Sequence, residues 1–219
     1  MHIPDGYISP ASVVASYVVA LPLWFIAFNK LKAKLDEETL PLLSSLSALS
    51  FVIMMFNIPI PGGTSGHALG VALIALLFGP WIGFLSLSIV LFIQAIIFGD
   101  GGISTFALNS LAMGFAGAFS ASFVFERLKN KSYSYFAAGW MSAVASSVVV
   151  ALVLGIQPYI GSVDGKPLYF PFDLSVTLPA LVGSHMVFFG VVEGIFTKIA
   201  IKVLGKLEPK YTKNLGANV

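Results

Sequence analysis

The chain has 219 residues, is 57% hydrophobic and only 10% charged, and carries a net charge of +2. Its mean hydropathy is +0.92. Soluble domains carry about 25% charged residues, so the composition excludes an ordinary soluble enzyme and indicates a polytopic membrane protein. Cysteine is absent, which removes disulfides and thiolate metal sites. His2, His67, His185, the carboxylates and the chain terminus remain as candidate metal-binding groups.

The chain opens Met1-His2-Ile3-Pro4-Asp5-Gly6. It lacks a basic leader, and Pro4, Asp5 and Gly6 precede the first apolar run, so it does not read as a secretory signal. Methionine before a bulky histidine is expected to be retained, with a free amine. Apolar stretches then follow at about 10–29, 41–59, 66–79, 80–98, 103–126, 133–156 and 174–204, most of them near the roughly 20 residues that cross a bilayer. The third is short. Gly79-Pro80 ends it and begins the fourth, because proline cannot continue a helix but suits its first turn. Lys30, Lys32 and Lys34 follow the first stretch. Arg127, Lys129 and Lys131 follow the fifth, and Lys198, Lys202, Lys206, Lys210 and Lys213 close the last. Only Lys166 falls on the opposite side, and positive charge stays cytoplasmic. The expected fold is therefore all-α. Seven transmembrane helices form one domain over 1–204, with the N-terminus outside, the C-terminus inside and a basic cytoplasmic tail over 205–219. The chain start, the loop Pro61-Gly62-Gly63-Thr64-Ser65-Gly66-His67, the loop Gly99-Asp100-Gly101-Gly102 and the segment 157–173 with Asp164 and Asp173 all fall on the external face.

A histidine in second place puts three nitrogens within reach of one metal: the Met1 amine, the His2 amide and the His2 imidazole. They would close a five- and a six-membered ring and leave one in-plane position open, a geometry that suits Ni(II) or Cu(II). Taken alone, chance explains a second-place histidine as well. His67 offers a fourth nitrogen from a loop where Gly62, Gly63 and Gly66 permit close backbone approach. Ser65 could cap the helix that His67 begins. The bland alternative is a flexible hairpin with an incidental histidine.

With Met1-His2-Ile3-Pro4-Asp5-Gly6-Tyr7, Gly63-Thr64-Ser65-Gly66-His67 and Phe98-Gly99-Asp100-Gly101-Gly102 in this order and spacing, the chain resembles the NikM/CbiM family over essentially its whole length. Those proteins are the substrate-binding (S) components of energy-coupling factor transporters for nickel and cobalt. The resemblance implies an N-terminus folded back into the membrane core and a metal held by Met1, His2 and His67. Pro4-Asp5 resembles the nickel branch, so Ni2+ is the expected cargo, with Co2+ as the alternative. It further implies two ATP-binding subunits and a transmembrane scaffold subunit in a prokaryotic plasma (inner) membrane. The extra C-terminal spans that some members carry fused are absent, so a small accessory membrane subunit is expected as well. No organic cofactor and no nucleic acid are expected.

Other polar residues have paired readings. Asp100 is either a turn residue or the group that orients a ligand imidazole. Asp5 either orients His2 or caps the first helix. Gln94 and Asn109 bond either across helices or to the buried N-terminus. His185 reads as a hydrogen-bonded core histidine rather than a ligand. Glu193 reads as a partner for a cytoplasmic lysine or a neighbouring subunit. Ser44 and Ala48 make a small-residue patch that permits close helix packing. No Gly-x-x-x-x-Gly-Lys-Ser/Thr loop is present, so the chain has no ATPase of its own. From a different class, Gly63-Thr64-Ser65-Gly66 fits the pattern of intramembrane serine proteases, with Ser65 as nucleophile and His185 as base. That alternative leaves the N-terminal motif unexplained.

Overall fold

The computed structural model describes residues 1–34, 36–37, 39–60 and 64–215. Pro61, Gly62, Gly63 and the last four residues of the expected basic tail lie outside the described residues. Helix α1 spans Pro10–Lys32. The Ser9 side chain accepts the Ser12 N–H, and Pro10 occupies the first turn, where a missing N–H costs nothing. Helix α2 spans Thr39–Met54. Strands β1 (Ile58–Ile60) and β2 (Thr64–Gly66) then pair antiparallel, with Ile58 opposite Gly66 and Pro59 opposite Ser65. Helix α3, Val71–Phe78, is followed by α4, Pro80–Phe98, whose last turn from Gln94 is a π turn. Helix α5 spans Phe106–Leu128, with a π segment at Ser110–Ala116, and α6 spans Ser134–Ile160. A small hairpin (β3, Ser162–Val163; β4, Lys166–Pro167) leads to α7, residues 174–207, which contains π turns at Leu178–Val182 and His185–Phe189. A short α8, Pro209–Thr212, follows.

Among the described residues, four helices (α1, α4, α5 and α6) are long and apolar enough to cross a membrane. Helix α2 has 16 residues and α3 only eight. The third predicted stretch, 66–79, thus becomes helical only at Val71. Residue 66 belongs to the hairpin, and residues 67–70 form an irregular turn that ends in Gly70 with φ of 72°. The expected cap at Ser65 is also corrected: Ser65 lies in β2, its hydroxyl donates to Asn57 Oδ1, and Gly70 is the residue at the cap position of α3.

Helix α3 reads Val-Ala-Leu-Ile-Ala-Leu-Leu-Phe, with no polar face. All but one of its residues are buried, as a helix apolar on every side requires. It sits among α4, α5, α6 and α7. Helix α1 is peripheral: Val14, Val18, Phe25 and Phe28 are exposed. Helices α6 and α7 make the most extensive helix pair, and small residues permit it. A Cβ at Gly139 would lie 2.6 Å from Thr197 Oγ1 and 2.7 Å from the Glu193 carbonyl, and one at Gly194 would lie 2.7 Å from the Phe136 carbonyl. Gly139→Val is therefore expected to push α6 from α7 and to cost about 1–3 kcal/mol, the usual cost of overpacking. The check is thermal unfolding in detergent, and an unchanged midpoint would contradict the close approach.

Candidate metal centre

The first residues of the chain are threaded into the interior. Met1 and Ile3 are fully buried and His2 is 6% exposed. Buried backbone groups need partners, and Ile3 has them on both sides. Its N–H donates to Asn109 Oδ1 at 2.9 Å. Its carbonyl accepts the Gly102 N–H at 3.0 Å, Asn109 Nδ2 at 3.1 Å and the Thr105 hydroxyl. The Asp5 carboxylate accepts the backbone N–H groups of Ile103 and Ser104 and the Ser104 hydroxyl. Further on, Ser9 N–H donates to Gln157 Oε1 at 2.9 Å, and Phe170 N–H donates to the Tyr7 carbonyl.

This stitching sets down the Met1 amine beside the β1–β2 hairpin, where it donates to the Ser65 carbonyl. His67, just past the hairpin, is 1% exposed. Its ring centroid lies 4.7 Å from that of His2, with the planes 52° apart. His67 Nδ1 sits 3.0 Å from the Ala68 carbonyl. That nitrogen therefore carries the proton and Nε2 presents its lone pair, the arrangement in which a histidine ligand is oriented by its other nitrogen. His2 Nδ1 lies 2.5 Å from Asp100 Oδ1, close but poorly aligned for a hydrogen bond. The other Asp100 oxygen accepts Asn57 Nδ2 at 3.0 Å. Among the described residues, neither Nε2 of the two histidines has a hydrogen-bond partner. Gly101, at φ 86°, lets the loop close over the site, since a Cβ there would lie 3.1 Å from Asn109 Nδ2 and 3.6 Å from His2 Cβ.

Burial lowers the Met1 amine to a pKa of about 5, against the opposing pull of Asp100. Burial also lowers His2, again with Asp100 opposing. For Asp100, burial acts upward, but the His2 contact and the Asn57 amide outweigh it and hold the carboxyl below its usual range. At neutral pH the amine and the His2 ring are therefore uncharged beside an ionised carboxylate, and they offer lone pairs rather than protons. Among the described residues no three histidine, aspartate or glutamate side chains gather as a metal cluster. An ion held here would need ligands beyond a side-chain cluster of that kind.

Of the residues singled out from sequence, the structure brings Met1, His2, His67, Asp100 and Asn109 together, and Ser65 joins them through its carbonyl. Asp5 does not cap α1, a task Ser9 performs, and among the described residues no hydrogen bond joins it to His2; it holds the 103–104 backbone. Gln94 donates to the Phe51 carbonyl at 3.4 Å, across helices rather than to the N-terminus. His185 is fully buried, with Nδ1 2.7 Å from the Leu181 carbonyl. Among the described residues no hydrogen bond joins it to Ser65, whose hydroxyl is taken by Asn57, so the protease dyad is not assembled. Among the described residues no lysine pairs with Glu193; its carboxylate accepts the Leu69 and Gly70 N–H groups. Sequence reasoning missed Asn57 and Thr105. Their only signal was a polar side chain at the end of an apolar run.

The CbiM family, described as the cobalt uptake substrate-specific transmembrane region, matches residues 2–211. A protein of Methanocaldococcus jannaschii named for metal transport is 38% identical over 213 residues, covering 95% of this chain and 93% of its own. A fused nickel transport protein, NikMN, of Rhodobacter capsulatus is 37% identical over 96% of this chain, which spans 63% of that longer protein. A crystal structure of a transition metal transporter superposes with a TM-score of 0.92 at 36% identity, over 99% of this chain and all of that one.

The clamp on Ile3 is directly testable. Asn109→Ala strands a buried N–H and weakens the hold on a carbonyl, at about 1–3 kcal/mol for a group left unpaired. The expected outcome is a lower unfolding midpoint and an N-terminus newly open to amine-reactive reagents. Labelling of Met1 at the wild-type rate would show that the clamp is dispensable.

Proposed function

The chain belongs to the CbiM family of metal-uptake proteins, and on that footing we propose that it captures Ni2+ in a site built from Met1, His2 and His67. The chain is a component of metal transport, not an enzyme. The observation that carries the reading is the burial of the first amine beside two imidazoles 4.7 Å apart, with both nitrogens of His2 and Nε2 of His67 making no hydrogen bond among the described residues. A buried polar atom without a partner is costly, and here such atoms cluster beside the end of an elaborately anchored segment.

In this reading the ion is bound by the Met1 amine, the His2 amide nitrogen, His2 Nδ1 and His67 Nε2. Four nitrogens in a plane favour low-spin Ni(II). Closing the six-membered ring requires His2 Nδ1 to leave Asp100, so the imidazole turns as the ion arrives and Asp100 then orients the ring through its other nitrogen. Co2+ is the second reading, supported by the family description, and competition between the two ions decides between them. Seven membrane crossings, an external N-terminus and a plasma-membrane location in a prokaryote complete the proposal, supported by the placement of eleven of twelve basic residues on one side. Inward delivery falls to two ATP-binding subunits, a transmembrane scaffold and a small accessory membrane subunit, since the sequence holds no phosphate loop of its own.

One residue added before Met1 replaces its amine with an amide and is expected to abolish nickel binding in a folded protein. His67→Ala is expected to do the same, whereas Ser65→Ala, which leaves the carbonyl in place, keeps binding. Elemental analysis and the planar Ni(II) absorption band read all three, and full stoichiometry in the extended protein refutes the chelate. Because burial already keeps the amine and the His2 ring neutral at pH 7, the proton displaced there is that of the His2 amide, about one per ion. Affinity is expected to fall as the amine protonates below about pH 5. Calorimetry in buffers of different ionisation enthalpy counts the proton, and a count near zero removes the amide from the ligand set.

A further inference from the structure

One buried carboxylate has no part in that ligand set. Glu193 is fully buried on α7, and among the described residues no lysine, arginine or histidine lies at ion-pair distance from it. Its Oε2 accepts the Leu69 N–H at 2.7 Å, and the Gly70 N–H reaches both oxygens, at 3.0 and 3.2 Å. Those two residues directly follow His67-Ala68 and precede α3. A helix start leaves free N–H groups and favours negative charge. The left-handed Gly70 turns successive N–H groups into a concavity that holds an anion. The turn also packs closely against α2, because a Cβ at Gly70 would lie 2.4 Å from Ser50 Oγ. The height of Glu193 is set in turn by the glycine-lined seam between α6 and α7, where Gly139 meets the Glu193 backbone.

We propose that Glu193 is a positioning residue for the metal: its carboxylate pins the 67–70 turn to α7 and thereby aims His67 Nε2 at the Met1–His2 nitrogens. The proposal rests on the reading of Met1, His2 and His67 as ligands. It makes α7 the element that holds the loop ligand in place, whereas the clamp from α5 and the 99–105 loop holds the other two. A displacement of α7 along or about its axis moves His67 relative to the chelate, and the same helix carries Lys198, Lys202 and Lys206 toward its far end.

The test is Glu193→Gln and Glu193→Ala in the full chain, read by nickel affinity, by the planar Ni(II) absorption band and by unfolding of the metal-free protein. Loss of a group that orients a metal-bound histidine typically costs about 10- to 100-fold in affinity. Glu193→Gln, which still accepts one N–H, is expected to lose less than Glu193→Ala. In both, the absorption band of the remaining complex is expected to shift while the metal-free protein stays folded. Wild-type affinity with an unshifted band in Glu193→Ala overturns the proposal. Should the variants fail to fold, hydrogen exchange on the wild-type protein decides. The Leu69 and Gly70 amides are expected to be strongly protected, and exchange at the rate of an open loop refutes the contact. The outcomes separate cleanly, because nickel retained by His2→Ala sinks the ligand set itself. Nickel lost by His2→Ala but held normally by Glu193→Ala sinks only the role of Glu193.

Discussion

The structure turns on the grip that Asn109, Thr105 and the Gly102 amide exert on the peptide groups of Ile3. A free chain end would normally seek water, because a buried ammonium is expensive. The four hydrogen bonds at Ile3, with those at Asp5 and Ser9 behind them, offset that cost by satisfying main-chain groups that the entering segment must hide. Loss of the amine's charge follows from the same burial. The consequence is chemical: a group that is a cation on most protein surfaces becomes a neutral donor, next to two imidazoles in the same condition.

Charge balance explains the one carboxylate at the rim. Asp100 stands beside His2, with Asn57 steadying its second oxygen, so a negative charge faces the place where a dication would lose its water. Asp5, also an aspartate and closer in sequence, is spent on the backbone of the 103–104 turn. Two aspartates that look alike in a list of polar residues are thus divided by what their oxygens meet: main-chain N–H groups in one case, an imidazole in the other.

Much of this was legible in the sequence, for identifiable reasons. Apolar runs set off by Gly79-Pro80 and by lysine clusters marked where helices stand, because length and polarity govern both. His2 and His67 could be paired because a second-place histidine and a glycine-rich loop are local signals. The strand pairing of the β1–β2 hairpin was invisible. Its three-residue strands leave no periodicity, and it displaced the start of α3 from residue 66 to Val71. Ser65 was noticed for its hydroxyl, yet it is the carbonyl that receives the amine. Glu193 reads from sequence as a partner for a lysine or a neighbouring subunit because charge is the only guide, whereas its hydrogen-bond partners, the amides of Leu69 and Gly70, carry no sequence signature and lie 124 and 123 positions away.

Helix α3 has only eight residues, which at 1.5 Å per residue is about 12 Å, against a hydrocarbon layer about 30 Å thick. Its carbonyl end at Phe78 is met by Lys34 Nζ at 3.1 Å, one of the basic residues that the proposed topology assigns to the cytoplasm. In that orientation α3 stands between His67 and the cytoplasmic face, with α4, α5, α6 and α7 packed around it. Carrying one charge across the whole membrane potential is worth about 2.3 kcal/mol per 100 mV, and only the part of that drop remaining beyond His67 would act on an ion during its release.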